Sequence, residues 1–388
     1  MAPGSDLGAV LSPEPWLAAS PPALSPSREA IMASKFTVSN RTGWLMAGPA
    51  VLLIAGFVIL PFFLAFYFSF TNQRLVSPNA TEFVGMANYR QLLGIATVTL
   101  EPVRDDSGAI VMKDGAPEYP SLRALTRNNP DRPDLAGMRE WFSFSSGGDS
   151  RTYVLARDVV FMKAIVNTFI FVLIVAPVQA GLALGLALLI NQRLRGINVF
   201  RTIYFMPVVV SIVVVSLLWR FIYDGQDGLL NNLLHGLTLG AFEPVDWLGN
   251  PSTALGSIIA MSIWQAVGFH MVIWLSGLQT ISPTLYEAAA IEGASKWQVF
   301  RYITWPGLRN TAVLILIVIT MQAFGLFAQI DVMTNGGPLD STQTIVFQAI
   351  ERGYGKQDIS GGSAISVILF VIVLSISLIQ RWLTREKT

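Results

Sequence analysis

Six stretches of the chain run free of charged residues for long enough to cross a bilayer. Helices fit them at about 44–70, 164–190, 202–219, 254–278, 311–330 and 359–380. Each approaches or exceeds the roughly 18–20 apolar residues that traverse a hydrocarbon core of about 30 Å. Buried helices of a large soluble protein would be shorter and would keep a polar face. The pattern therefore predicts an all-α membrane protein with six transmembrane helices, the first at 41–72 and five more in a core at 161–384.

The segments between these helices differ in kind. Residues 1–40 hold Pro13, Pro15, Pro21, Pro22 and Pro26 among Ser and Ala, without a hydrophobic run suited to a signal peptide. Such a composition buries too little apolar surface to offset chain entropy, so a disordered tail is expected, and Met32 is an alternative start. Residues 73–160 form an insertion rich in turn signals: Asp105-Asp106-Ser107-Gly108, Lys113-Asp114-Gly115, Asn128-Asn129-Pro130 and Ser146-Gly147-Gly148-Asp149. Between them, Ala109-Ile110-Val111-Met112 and Trp141-Phe142-Ser143-Phe144 read as short strands. A small ordered cap that packs on its neighbours is expected, because its size is marginal for independent stability. Phe83 to Tyr89 reads only as a local mixture of apolar and turn residues.

Charge then orients the helices. The connection 191–201 carries Arg193, Arg195 and Arg201 and no acid, whereas 223–251 carries Asp224, Asp227, Glu243 and Asp246 and no Lys or Arg. Lys35 and Arg41 precede the first helix; Lys296, Arg301 and Arg309 follow the fourth; Arg381, Arg385 and Lys387 end the chain. The excess of Lys and Arg on the cytoplasmic side places both termini in the cytoplasm and the insertion outside. Overall, 52% of the 388 residues are hydrophobic and 13% charged, with a net charge of +1. Soluble domains carry about 25% charged residues. The near-zero net charge gives no reason to expect nucleic-acid binding, and the absence of cysteine removes disulfides, thiolate catalysis and Cys-ligated metals.

One polar stretch, 283–306, sits between two apolar segments and can neither span a membrane nor fold alone. Ser282-Pro283 offers an N-cap and a proline suited to the first helical position. Glu287 falls in the first turns, where a carboxylate favours the positive end of the helix dipole. Ala288, Ala289 and Ala290 favour helix and let a partner approach the backbone closely. Gly293 breaks the run and permits a positive φ. A second short helix over 296–303 carries Trp297 and Phe300 on one side, and Pro306 starts the next span.

This stretch resembles the EAA loop of binding-protein-dependent ABC importer permeases. Glu287, Ala288, Ala289, Gly293, Phe300, Ile303 and Pro306 match the family pattern; Glu292 stands for the usual Asp and Trp305 for the usual Leu. Thr334-Asn335-Gly336-Gly337-Pro338 followed by Ser341-Thr342-Gln343-Thr344 is similar to the Gly-Gly-Pro segment of the carbohydrate group, that of maltose and glycerol-phosphate permeases. Asn167, Pro177-Val178-Gln179, Gly196, Phe200-Arg201, Pro207, Gly228 and Asn231 also fit its spacing.

The resemblance implies the type I importer permease fold and places Glu287, Ala288, Ala289, Gly293 and Ala294 at a contact with an ATPase. It implies a second permease subunit (a heterodimer), an ATPase dimer that uses ATP and Mg, and an extracytoplasmic solute-binding protein. This chain itself would bind no cofactor, would not be an enzyme, and would carry a sugar, an oligosaccharide or a sugar- or glycerol-phosphate derivative across the inner membrane. The chain lacks the phosphate-binding G-x-x-x-x-G-K-[ST] pattern, since Gly355-Lys356 is followed by Gln357.

Polar residues within apolar helices are costly in lipid and mark the path of a solute. They cluster as Ser262, Gln265 and His270, with Trp264 and Phe269, in one helix, and as Gln322 and Gln329, with Phe324, in another. By position in the maltose group, Gln265, Phe269 and Gln322 correspond to substrate contacts; interhelical hydrogen bonding is the competing explanation. An ion-gradient-driven secondary transporter is the alternative function, but it would want intramembrane carboxylates and the spans contain none. Deletion of residues 1–31 is expected to leave the amount of protein in the membrane unchanged, as read by immunoblot of membrane fractions.

Overall fold

The computed structural model describes residues 40–127, 129–145, 147, 149–192 and 196–384. The expected tail apart from Asn40, and Arg193, Arg195, Arg385 and Lys387 of the charge argument, lie outside the described residues. The chain divides into Met1–Phe62 and Phe63–Thr388. The first unit is described as helix only, α1 (Gly43–Phe68), which runs on into the second unit and contains a π-helical turn at Ala55–Ile59.

Apolar length makes three further straight spans: α3 (Val159–Ile190), α7 (Ala254–Gln279) and α13 (Ile359–Thr384). The remaining two expected spans are broken. Where one straight helix was predicted at 202–219, α4 (Ile197–Val209) meets α5 (Ile212–Ile222) at 97°. Pro207 lacks the N–H of a helical ladder, and the β-branched run that follows is a poor helix former. Val210 (ψ 139°) and Ser211 (ψ 133°) are extended. Likewise the span expected at 311–330 stops at Phe324: α10 (Arg309–Phe324) ends at Gly325, and a short α11 (Ala328–Met333) follows. At its other end α10 meets α9 (Lys296–Gly307) at 66°, and Pro306 lies within α9 instead of opening the span.

The core forms where α3 and α7 pack along their lengths, with α10 against α3, α4 against α7 and α5 against α11. Trp274 Nε1 donates to the Ala180 carbonyl at 3.0 Å, so the ends of α3 and α7 that carry Ile190 and Gln279 lie on the same side. At the opposite end, the Gly-Gly-Pro segment leads into α12 (Ile345–Ile350) and is fixed by buried polar contacts. Asn167 donates to the Gln343 carbonyl at 3.1 Å, Thr342 to the Gly337 carbonyl at 2.7 Å, and Gln348 to Gln343 Oε1 at 2.7 Å.

The insertion is partly β. Strands β1 (Ile95–Leu100), β4 (Arg139–Ser145) and β5 (Arg151–Ala156) form an antiparallel sheet in the order β1-β5-β4. β2 (Met112–Lys113) and β3 (Ala116–Pro117) are a hairpin around Asp114-Gly115, both at positive φ as a tight hairpin turn requires. Trp141 to Phe144 lie in β4, but the strand expected at 109–112 begins only at Met112. Residues read as a turn mixture give a short helix, α2 (Ala87–Leu93), and Asn88 there donates to the carbonyls of Ser69 and Thr71 at 2.8 Å each, satisfying the frayed end of α1.

A charged cluster joins the insertion to the spans. Asp158 caps α3 by accepting from the Phe161 N–H at 3.0 Å and pairs with Arg352 at 2.6 Å. Arg352 also reaches Asp358 at 3.1 Å, and Asp358 accepts from the Gly361 N–H in the first turn of α13. These side chains are largely buried, so removing one partner strands a charge. Arg352→Met is expected to cost on the order of 3 kcal/mol. Thermal unfolding of the purified protein in detergent checks it; an unchanged midpoint would mean that water already screens the cluster.

Candidate functional site

The broken helices leave room between the straight ones. α3, α7, α10, α11 and the α4–α5 break line a half-open cavity of about 460 Å³. Helical spacing puts Ser262, Gln265 and Phe269 on one face of α7, and all three line it, as do Gln322 of α10 and Gln329 of α11. The three residues picked out from sequence as the solute path, Gln265, Phe269 and Gln322, thus face one space. Apolar walls come from Phe171 and Val175 of α3 and Ile319 of α10.

The polar lining has two kinds of environment. Gln322 is exposed, whereas Gln265 is half-buried and its Nε2 stands 3.5 Å from the Pro207 carbonyl, which the break in α4 frees. Gln265 therefore also ties two helices together, as the competing explanation requires. The break itself is held close: a Cβ on Gly268 would come within 1.9 Å of the Tyr204 carbonyl oxygen, so α7 tolerates no side chain there.

Other sequence candidates lie elsewhere. Phe324 is buried in the core, edge-on to Phe169 at 5.6 Å, and Trp264 leans on Trp219 at 5.3 Å. His270 is fully buried behind the wall, its Nδ1 2.7 Å from Gln179 Nε2. Gln179 itself does line the cavity. In the sequence its mark beyond the spacing match is an amide within an apolar helix, the same signal that Gln265 and Gln322 carry.

The second site is the polar loop that follows α7. Helix α8 (Pro283–Ile291) ends in paired hydrogen bonds, Ala294 N–H to the Ala289 carbonyl at 2.9 Å and Gly293 N–H to the Ala290 carbonyl at 3.2 Å. That pairing needs a left-handed residue at the turn, and Gly293 has φ +69°. Ser295 and Gln298 then form a reciprocal cap that starts α9: Gln298 Oε1 accepts from the Ser295 N–H at 2.7 Å. The two short helices are thus set at a fixed angle by their own backbone.

Glu287, Ala288 and Gly293 are exposed, while Ala294 is half-buried and Ala289 turns into the chain's own packing. Around them Ile291 is 86% exposed, Tyr302 75% and Trp297 68%, with Trp297 stacked on Phe300. Large apolar side chains gathered on a polar loop make a surface suited to burial by another protein. Tyr286 Oη lies 3.2 Å from Thr304 Oγ1, bracing α8 against α9 from below.

The family described as binding-protein-dependent transport system inner membrane component matches residues 161–388. The trehalose/maltose transport system permease protein MalF of Thermococcus litoralis is 34% identical over 250 residues, covering 64% of this chain and 79% of its own length. The lactose transport system permease protein LacF of Rhizobium radiobacter is 32% identical, covering 69% of this chain and 89% of its own. Among solved structures, a bacterial alginate ABC transporter in complex with an alginate-pentasaccharide-bound periplasmic protein aligns with a TM-score of 0.54 and 25% identity, covering 58% of this chain and 78% of that one. The matched region takes in the cavity, the loop and the last span, and the chain belongs to the inner membrane components of binding-protein-dependent transport systems.

Proposed function

We propose that the chain is the permease subunit of an importer that moves a carbohydrate across the cytoplasmic membrane. One observation carries this reading: a cavity with an amide-rich lining and a rigid exposed loop belong to the same helix-and-turn unit, α7 followed by α8. Aromatic and aliphatic walls suit the apolar faces of a sugar, and amides suit its hydroxyls. Relatives named for trehalose, maltose and lactose support the same solute class.

In this reading Gln265, Phe269 and Gln322 contact the solute. Glu287, Ala288, Gly293 and Ala294 meet a separate ATPase dimer, where ATP is hydrolysed with Mg, and Ala289 supports them from the packed side. A second permease subunit completes the path, and an extracytoplasmic solute-binding protein delivers the solute. Both termini and the loop face the cytoplasm, as the charge distribution favours. The chain holds no cofactor and performs no hydrolysis itself.

Coupling gives the sharper test. Gly293→Asp replaces the left-handed residue and adds a side chain at the docking surface, so uptake of labelled maltose or lactose is expected to vanish while membrane levels stay normal. Transport at the normal rate would remove the loop from the coupling step.

For the path, Gln265→Leu and Gln322→Leu each delete one hydrogen bond at nearly constant volume. Uptake affinity is expected to fall roughly 2- to 13-fold, the equivalent of about 0.5–1.5 kcal/mol. If Gln265→Leu instead prevents co-purification with the second permease, its bond to Pro207 is the role that matters.

A further inference from the structure

Every polar side chain that lines the cavity is neutral: Gln179, Ser262, Gln265, Gln322 and Gln329. No Asp, Glu, Lys, Arg or His is among its lining residues. Amides and hydroxyls both donate and accept, which matches a solute covered in hydroxyls. An anion that shed its water there would find no opposite charge on this chain's side of the path, at a cost of several kcal/mol per ion.

Gln179 sits at the cavity floor with 2% of its surface exposed. One end of its amide is held by His270 Nδ1 at 2.7 Å, and that ring nitrogen also lies 3.0 Å from the Ala266 carbonyl. One proton arrangement serves both contacts: Nδ1–H donates to the Ala266 carbonyl and to the Gln179 amide oxygen turned toward it, which pins that end of the amide and leaves its NH₂ for the cavity. Among the described residues His270 Nε2 has no hydrogen-bond partner, and the contacts of this fully buried ring are with Gln179 and the adjacent turn.

We infer that the cavity selects an uncharged, polyhydroxylated solute, and that Gln179, positioned by His270, supplies one of the hydrogen bonds that recognise it. This rests on the transport reading above and narrows it, excluding phosphorylated sugars and uronates. A structurally similar transporter is named for import of the acidic polysaccharide alginate, the class of solute that a neutral lining disfavours.

The test uses the complete transporter with its binding protein in proteoliposomes. The probes are labelled maltose and lactose, against glycerol 3-phosphate and an oligogalacturonate. Uptake of a neutral probe with at least tenfold discrimination against both anions is expected. Gln179→Met and His270→Leu should each raise KM roughly 2- to 13-fold with Vmax per transporter within twofold. His270→Asn, whose amide can replace Nδ1, should return KM to within twofold of the parent. A merely structural role would lower the amount or Vmax of the transporter and leave KM alone. Should His270→Leu fail to accumulate, the Gln179→Met result alone decides the point. Anions carried as well as neutral sugars, or an unchanged KM in Gln179→Met, would overturn this inference and leave the transport reading intact. Uptake of none of the four probes would count against both.

Discussion

A helix that stops inside a bilayer must hand its unpaired backbone groups to other parts of the protein, because lipid offers no hydrogen bonds. The break between α4 and α5 is governed by that constraint. Pro207 removes a donor, Val210 and Ser211 leave helical geometry, and carbonyls of the last α4 turn lose their partners. They are covered by α7, whose Gly268 lets the two backbones touch and whose Gln265 reaches the Pro207 carbonyl. The space beside this junction is the cavity, so a defect in one helix and the wall of the cavity are the same physical feature.

The same economy appears at the polar loop. Its shape depends on Gly293 and on the reciprocal cap at Ser295, both local backbone devices that need no partner to form. A loop set in advance has little conformational entropy left to lose on being covered. Because only residues 280–282 separate α7 from α8, a displacement of the loop has a short route to the cavity. The opposite end is anchored differently, by Arg352 between the caps of α3 and α13, and this ties the insertion's exit to the spans.

Much of this was legible in the chain. Charge-free length located the spans, and the helix–glycine–helix pattern located the loop down to the positive φ of Gly293. Lone amides in apolar surroundings located Gln265 and Gln322. The signal failed where it depended on distance in sequence: Phe324 looked like a path residue and is core, and Ala289 faces inward while its neighbours face out. In the insertion, β1 and β5 were missed. Their pairing joins residues more than 50 positions apart, as between Ile95 and Ala156, and is invisible to a local reading.

By itself, then, the sequence determined which segments enter the membrane, where the polar loop must lie and which residue its turn requires. These follow from hydrophobic length and backbone geometry, properties of contiguous residues. Tertiary structure alone decided that two of the spans are broken, because a helix breaks stably only where another chain segment takes up its loose hydrogen bonds. It alone decided that amides from α3, α7, α10 and α11 face one cavity, and that His270 lies behind its wall against Gln179. Those relations depend on which helix faces lie opposite one another, and no window along the chain contains that information.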